Sequence, residues 1–83
     1  MHFIILCRSM TAAQRAAHLL QRAGIFTSVT KAPQSANPGG CTYGIKLGER
    51  NLARARETLQ DARFPIGRTF ALYPDGTLRE VAL

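Results

Sequence analysis

The sequence predicts an α+β fold of the ferredoxin-like type, a split βαβ arrangement with two helices on one face of an antiparallel sheet. Strand-like and helix-like segments alternate in the order strand, helix, strand, strand, helix, strand. A turn signal near the C-terminus adds one hairpin strand to this βαββαβ order. With 83 residues, 46% of them hydrophobic and 19% charged, we expect one domain over residues 1–83 with one core.

The first strand and the first helix are predicted from apolar patterning and capping residues. The unbroken apolar run in residues 2–7 indicates a strand that is covered on at least one face. Either Ser9 or Thr11 can cap the following helix, and residues 11–14 fit a capping box. Gly24 is placed to end the helix. Small apolar residues repeat along one helix face, which lets the helix lie close to the sheet: Ala13, Ala16, Ala17, Leu20 and Ala23.

The middle of the chain contains two strands and the second helix. Residues 26–31 and residues 42–47 have strand composition, and the second of these strands is expected to pair back on the first. The second helix has an apolar face at helical spacing and ends before Phe64-Pro65, because a residue that precedes proline avoids helical angles. The residues of that face are Leu52, Ala55, Leu59 and Ala62.

The last two strands flank a strong turn signal. Residues 67–73 are predicted to form a strand, and Pro74-Asp75-Gly76 has the composition of a tight turn. The alternating segment 77–83 is predicted to form the terminal hairpin strand.

A cysteine lies at the end of a segment with little tendency to form regular structure. Pro33 and Pro38 disfavour a strand, and Gly39 and Gly40 allow left-handed backbone angles directly before Cys41. Cys41 on an exposed loop would be available for chemistry, since loops often carry function. Alternatively, Cys41 begins the next strand and is buried as a small apolar residue. The residue types alone leave both interpretations open.

Four features together resemble the selenium/sulfur carrier protein-like family. They are a short apolar strand, a helix that ends in Leu19-Leu20 and Ala23-Gly24-Ile25, a strand that closes on Ala32-Pro33, and a small-residue loop that ends in Gly40-Cys41. The resemblance covers roughly residues 3–66. It implies that the protein handles sulfur or selenium, that Cys41 accepts a persulfide, and that a donor protein and an acceptor protein are its partners. Family members commonly have glycine directly after the cysteine, whereas Thr42 follows here.

A carrier thiol needs exposure, a lowered pKa and a surface for docking. Backbone N–H groups at Gly39 and Gly40 could form a small anion-binding nest beside such a thiol. Candidate cations that would favour its thiolate form are Arg8, Lys31 and Lys46, although each also fits an ordinary solvated surface charge.

Cys7 ends the predicted first strand. In a ferredoxin-like sheet the first and third strands are antiparallel neighbours, so Cys7 is expected near the start of the third strand. Cys7 is therefore either a buried packing residue or a resolving thiol for Cys41.

The charge balance points to acidic partners, anions or nucleic acid. Eleven Lys and Arg residues against five Asp and Glu give a formal net charge of +6. The alternative function is therefore a non-catalytic protein-interaction module or a weak nucleic-acid-binding module. The sheet lacks the aromatic signature of RNA recognition modules, and Tyr43, Phe70 and Tyr73 are predicted to be packing residues. The terminal strand 77–83 offers an edge for a homodimer.

The sequence contains few features that would indicate a metal-binding protein or a classical enzyme. His2 and His18 lack the spacing of zinc ligands, and no phosphate-binding, dinucleotide-binding or hydrolase motif occurs, so neither a metal nor another cofactor is predicted. We expect a carrier or accessory protein rather than a classical enzyme. The apolar runs are too short to span a membrane, and the N-terminus lacks an export signal, which predicts a reducing, cytoplasmic location.

Overall fold

The computed structural model describes residues 1–31 and 43–81. In these residues five strands form one antiparallel sheet in the order β2-β3-β1-β4-β5, and two helices pack on it. This arrangement confirms the predicted ferredoxin-like split βαβ fold. The elements are β1 (His2–Cys7), α1 (Met10–Arg22), β2 (Ser28–Lys31), β3 (Tyr43–Gly48), a 3₁₀ turn (Glu49–Asn51), α2 (Leu52–Asp61), β4 (Thr69–Leu72) and β5 (Leu78–Val81).

The central strand β1 divides the apolar side chains between the two faces of the sheet. Phe3, Ile5 and Cys7 point toward the helices, whereas Ile4 and Leu6 point to the opposite face. This alternation is the two-residue period of an extended strand. The helix-side core also contains the apolar faces of both helices: Ala13, Ala16 and Leu20 of α1, and Leu52, Ala55 and Leu59 of α2.

Ser9 determines where α1 begins. Its hydroxyl oxygen accepts a hydrogen bond from the backbone N–H of Ala12 at 3.1 Å, and α1 starts at Met10. Thr11 therefore lies inside the first turn, and the predicted capping box over residues 11–14 is wrong. Two hydroxyl residues two positions apart compete for the same role, and the first one caps the helix here.

The end of α1 places two successive apolar residues in opposite environments. Gly24 adopts a φ of +80°, which a residue with a side chain rarely tolerates, and the Ile25 N–H then donates to the Leu20 carbonyl oxygen at 2.9 Å. Ile25 is buried by this turn, whereas 85% of Phe26 is exposed. Phe26 was predicted to begin the second strand, but β2 begins at Ser28.

The pairing of β1 with β3 requires a glycine at position 44. Leu6 faces Gly44 in this pairing, and Cys7 faces Tyr43. A Cβ atom on Gly44 would lie 2.6 Å from the Ile5 carbonyl oxygen and 3.0 Å from a methyl carbon of Ile4. Because the nearest atom belongs to the backbone, a side chain at this position would force the two strands apart.

We predict that Gly44→Ala lowers the free energy of unfolding by about 1–3 kcal/mol, the usual cost of overpacking a closed site. The matched control is Gly48→Ala in the same strand, because an added Cβ there meets no atom within 4 Å. We expect that control to change stability by no more than about 1 kcal/mol. Urea unfolding followed by circular dichroism measures both variants, and equal losses in the two would contradict this account of the β1–β3 pairing.

Candidate functional site

The strands bring several sequence-predicted site residues to one end of the sheet. β1 runs toward Cys7 and β2 runs toward Lys31, while β3 starts there at Tyr43. Tyr43 is the register partner of both Cys7 and Lys31. The segment that precedes β4 also lies here, because Gly67 donates its N–H to the Leu6 carbonyl oxygen at 2.8 Å. We refer to this region as the Cys7 end of the sheet.

The connection between β2 and β3 starts and finishes at the Cys7 end. Lys31 and Tyr43 face each other across adjacent antiparallel strands, yet eleven residues, 32–42, separate them in the sequence. Paired antiparallel strands are usually joined by about two to five residues. The connection is therefore longer than the strand pairing requires. Such long connections often carry function.

The candidate residues Gly39, Gly40 and Cys41 belong to residues 32–42 and lie outside the described residues. Their predicted roles as nest and persulfide-accepting thiol therefore stay predictions. The described residue that follows them most closely is Tyr43, which is half-buried against the helix-side core.

Cys7 is a core residue whose thiol is protonated at neutral pH and therefore a poor nucleophile. Only 6% of it is exposed, and its thiol donates a long hydrogen bond of 3.8 Å to the Ile5 carbonyl oxygen. Burial raises the pKa of the Cys7 thiol to about 11, because the thiolate form would lose its hydration. The interpretation of Cys7 as a packing residue agrees with this environment.

The three candidate cations lie at different distances from the Cys7 end. Arg8 follows Cys7 directly and is exposed, and Lys31 is the exposed last residue of β2. Lys46 lies in the middle of β3, opposite Ile4, and is roughly 10 Å along the strand from Tyr43. The structure thus brings Arg8 and Lys31 together at this end and leaves Lys46 apart from them.

Arg68 is a residue at the Cys7 end that the sequence analysis missed. Its guanidinium donates two hydrogen bonds to the Glu80 carboxylate, at 2.9 and 2.7 Å, and lies 5.2 Å from the centre of the Phe70 ring. These hydrogen bonds hold the pKa of the Glu80 carboxyl below its usual range. No local sequence pattern predicts the Arg68–Glu80 ion pair, because the two residues come together only when β4 and β5 form a hairpin.

A cavity of about 370 Å³ lies between the end of β1 and the segment that leads into β4. Its lining is largely apolar and includes the two basic residues Arg8 and Arg68. In the part of the chain that the structure describes, no group of three or more His, Cys, Asp or Glu side chains could hold a metal ion. Within residues 1–31 and 43–81, neither helix is long and apolar enough to cross a membrane.

The described residues define a small α+β protein whose candidate site lies at strand ends. The model of the family described as "Putative Se/S carrier protein-like" matches residues 2–70, which is most of the 83-residue chain. The chain belongs to this family, and the resemblance seen in the sequence is confirmed. No curated protein and no solved structure shows significant similarity to the chain. The family name suggests a carrier of selenium or sulfur, and a carrier implies partner proteins in general.

We predict that Cys7 alkylates slowly in the native protein. In a Cys41→Ser background at pH 8, the raised pKa leaves a small thiolate fraction, so the rate should be roughly a hundredfold below that of the same protein in denaturant. The rate should rise with pH toward the Cys7 pKa of about 11. Mass spectrometry of timed samples measures it, and native and denatured rates within a few-fold of each other would show that Cys7 is accessible.

Proposed function

We propose that this protein is a sulfur or selenium carrier and that its working group is the thiol of Cys41. The family membership supplies the class of function, and the environment of Cys7 supports the choice of cysteine. The chain contains two cysteines, and one of them is buried with a pKa of about 11. At pH 7 only about one Cys7 side chain in ten thousand would be a thiolate. The nucleophile that such a carrier needs is therefore assigned to Cys41.

The carrier step is a transfer of sulfane sulfur between thiols. The Cys41 thiolate attacks the outer sulfur of a donor persulfide, R–S–SH, and the sulfur–sulfur bond of the donor breaks. The products are a Cys41 persulfide and the donor thiolate R–S⁻, so no oxidant or reductant is consumed. Attack by an acceptor thiolate on the Cys41 persulfide then passes the sulfur on and regenerates the Cys41 thiolate. If selenium is carried, it takes the place of the outer sulfur atom in the same sequence of steps.

The Cys7 end supports a lowered pKa for Cys41. Cys41 precedes Tyr43 by two residues in the sequence, and Tyr43 lies at the Cys7 end. Lys31 lies beside Tyr43 in the sheet, and Arg8 follows the other register partner of Tyr43. Positive charges near a thiol favour its thiolate. We assign Arg8 and Lys31 this role and regard Lys46 as a surface charge.

A second role for Cys7 would be to resolve the persulfide. Attack of a Cys7 thiolate on the inner sulfur of the Cys41 persulfide would form a Cys7–Cys41 disulfide and release hydrosulfide. That attack needs a deprotonated Cys7 outside the core, whereas its thiol is buried and protonated. We therefore propose that Cys7 packs the core and that the persulfide leaves only by transfer to an acceptor.

We predict that Cys41→Ser abolishes sulfur loading and leaves the fold intact. A cysteine desulfurase supplied with ³⁵S-labelled cysteine should load the wild type but not this variant, because the variant has no thiol at the accepting position. The matched control is Cys7→Ala, which should still be loaded. Undiminished loading of Cys41→Ser would refute the assignment, and so would loss of loading in a folded Cys7→Ala protein.

A further prediction concerns the two cations. In a Cys7→Ala background, the combined substitutions Arg8→Gln and Lys31→Gln should slow alkylation of Cys41 at pH 7 by about two- to tenfold, because the pKa of the thiol rises. Lys46→Gln should leave the rate unchanged. The pH dependence of the alkylation rate gives the Cys41 pKa in each protein. An equal shift in Lys46→Gln would show a general effect of net charge, and no shift in any variant would remove the cations from the site.

A further inference from the structure

The positive charge of this chain is concentrated in its first part. Residues 1–48 contain five Lys and Arg residues and no Asp or Glu, whereas residues 49–83 contain six basic and five acidic residues. Helix α1 lies in the first part and has Arg15 and Arg22 without an acidic neighbour in its own sequence. A surface of one charge sign favours a partner of the opposite sign.

The basic residues of α1 lie on its solvent-exposed face. Ala13, Ala16 and Leu20 are buried against the sheet, and Arg15, His18 and Arg22 lie on the opposite side of the helix and are exposed. A shallow groove of about 390 Å³ follows this side, lined by these three residues with Thr11, Gln14 and Leu19. Neither Arg15 nor Arg22 forms a hydrogen bond or an ion pair with another described residue.

An exposed aromatic residue lies at the C-terminal end of the same helix. The Gly24 turn buries Ile25 and leaves 85% of Phe26 in solvent. Phe26 belongs to neither hydrophobic cluster of the described residues, although burying an aromatic ring is strongly favourable. Aromatic and arginine side chains are also the residue types that most often dominate binding energy at protein interfaces.

We propose that the outward face of α1, formed by Arg15, His18 and Arg22 and extended by Phe26, docks an acidic surface of a partner protein. We call these four residues the α1 surface. Arg15 and Arg22 are seven residues apart, or about 10 Å along the helix axis. Two carboxylates at the same spacing on an acidic helix can reach both guanidinium groups, and an apolar residue beyond them covers Phe26.

The direction of α1 relates this surface to the Cys7 end of the sheet. α1 begins just after Cys7 and Arg8, and β2, which starts after Phe26, runs back to that end. A partner along α1 therefore extends from the Cys7 end to the far end of the sheet. The docking proposal does not depend on sulfur chemistry at Cys41.

An acidic protein fits the α1 surface better than a nucleic acid does. Nucleic-acid affinity without sequence preference comes from many phosphate contacts, about six to ten in well-studied cases, and the α1 surface offers two guanidinium groups and one imidazole. Base stacking needs accessible aromatic rings. Phe70 on the opposite face of the sheet is buried beneath Arg68, which leaves Phe26 as a single ring at one end of the surface.

The test uses the ¹⁵N-labelled 83-residue protein. Its ligand is a synthetic helical peptide that has glutamates seven residues apart and a leucine placed to reach Phe26. At about 50 mM salt, chemical-shift changes should be confined to α1 and Phe26. Combined Arg15→Glu and Arg22→Glu substitutions should weaken binding about tenfold or more. Phe26→Ala should weaken it several-fold.

The matched control combines Arg50→Glu and Arg79→Glu, which change the net charge equally at exposed positions outside α1. We expect it to weaken peptide binding by about twofold at most. Equal weakening in the two double variants, or shifts spread over all arginines, would overturn the proposal. Absence of peptide binding at low salt would also overturn it. Tighter binding of a single-stranded RNA at the same residues would instead identify a nucleic-acid surface.

Discussion

The antiparallel pairing of β1 with β3 is the constraint on which the rest of the structure depends. β1 is the central strand, and its register with β3 sets Cys7 opposite Tyr43. Gly44 makes this register sterically acceptable, because any Cβ there would meet the Ile5 carbonyl oxygen at 2.6 Å. Gly44 thus permits the close pairing that brings the start of β3 to the Cys7 end. The ends of the cysteine-bearing connection follow from that pairing.

The environment of Cys7 explains why the proposed function assigns different roles to the two cysteines. Cys7 is the register partner of Tyr43, and Cys41 precedes Tyr43 by two residues in the sequence. Desolvation by the core keeps Cys7 protonated at neutral pH, so its thiol behaves as a small apolar group. The proposed carrier function needs one reactive thiol, and the buried Cys7 is poorly suited to that role. Under the proposed function, burial of Cys7 would disfavour conversion of a Cys41 persulfide to an internal disulfide.

Much of the fold could be predicted from the sequence, because its signals are local. The apolar run predicts β1 at its observed bounds, Gly24 ends α1 at the observed turn, and Leu52, Ala55 and Leu59 are the buried face of α2. Three features could not be predicted. The choice of Ser9 over Thr11 as cap depends on where the first helical turn closes. The exposure of Phe26 depends on where β2 starts to pair.

The third feature, the Arg68–Glu80 pair, depends on the register of a hairpin between β4 and β5. The candidate site shows the same division. The sequence singled out Cys7, Arg8 and Lys31, but only the strand pairing shows that they share one end of the sheet while Lys46 does not. The predicted roles of residues 39–41 stay predictions, because these residues lie outside the described ones.

The central claim is that Cys41 holds the transferred sulfur, and localisation of the persulfide in the wild-type protein tests it most directly. The protein is loaded by a small-molecule persulfide donor, the persulfide is trapped by alkylation without reduction, and tandem mass spectrometry locates the added sulfur. The account predicts an alkylated persulfide on the Cys41 peptide, an unmodified Cys7, and loss of the label after a chase with an acceptor thiol. A persulfide on Cys7, or stable conversion to a Cys7–Cys41 disulfide, would contradict it.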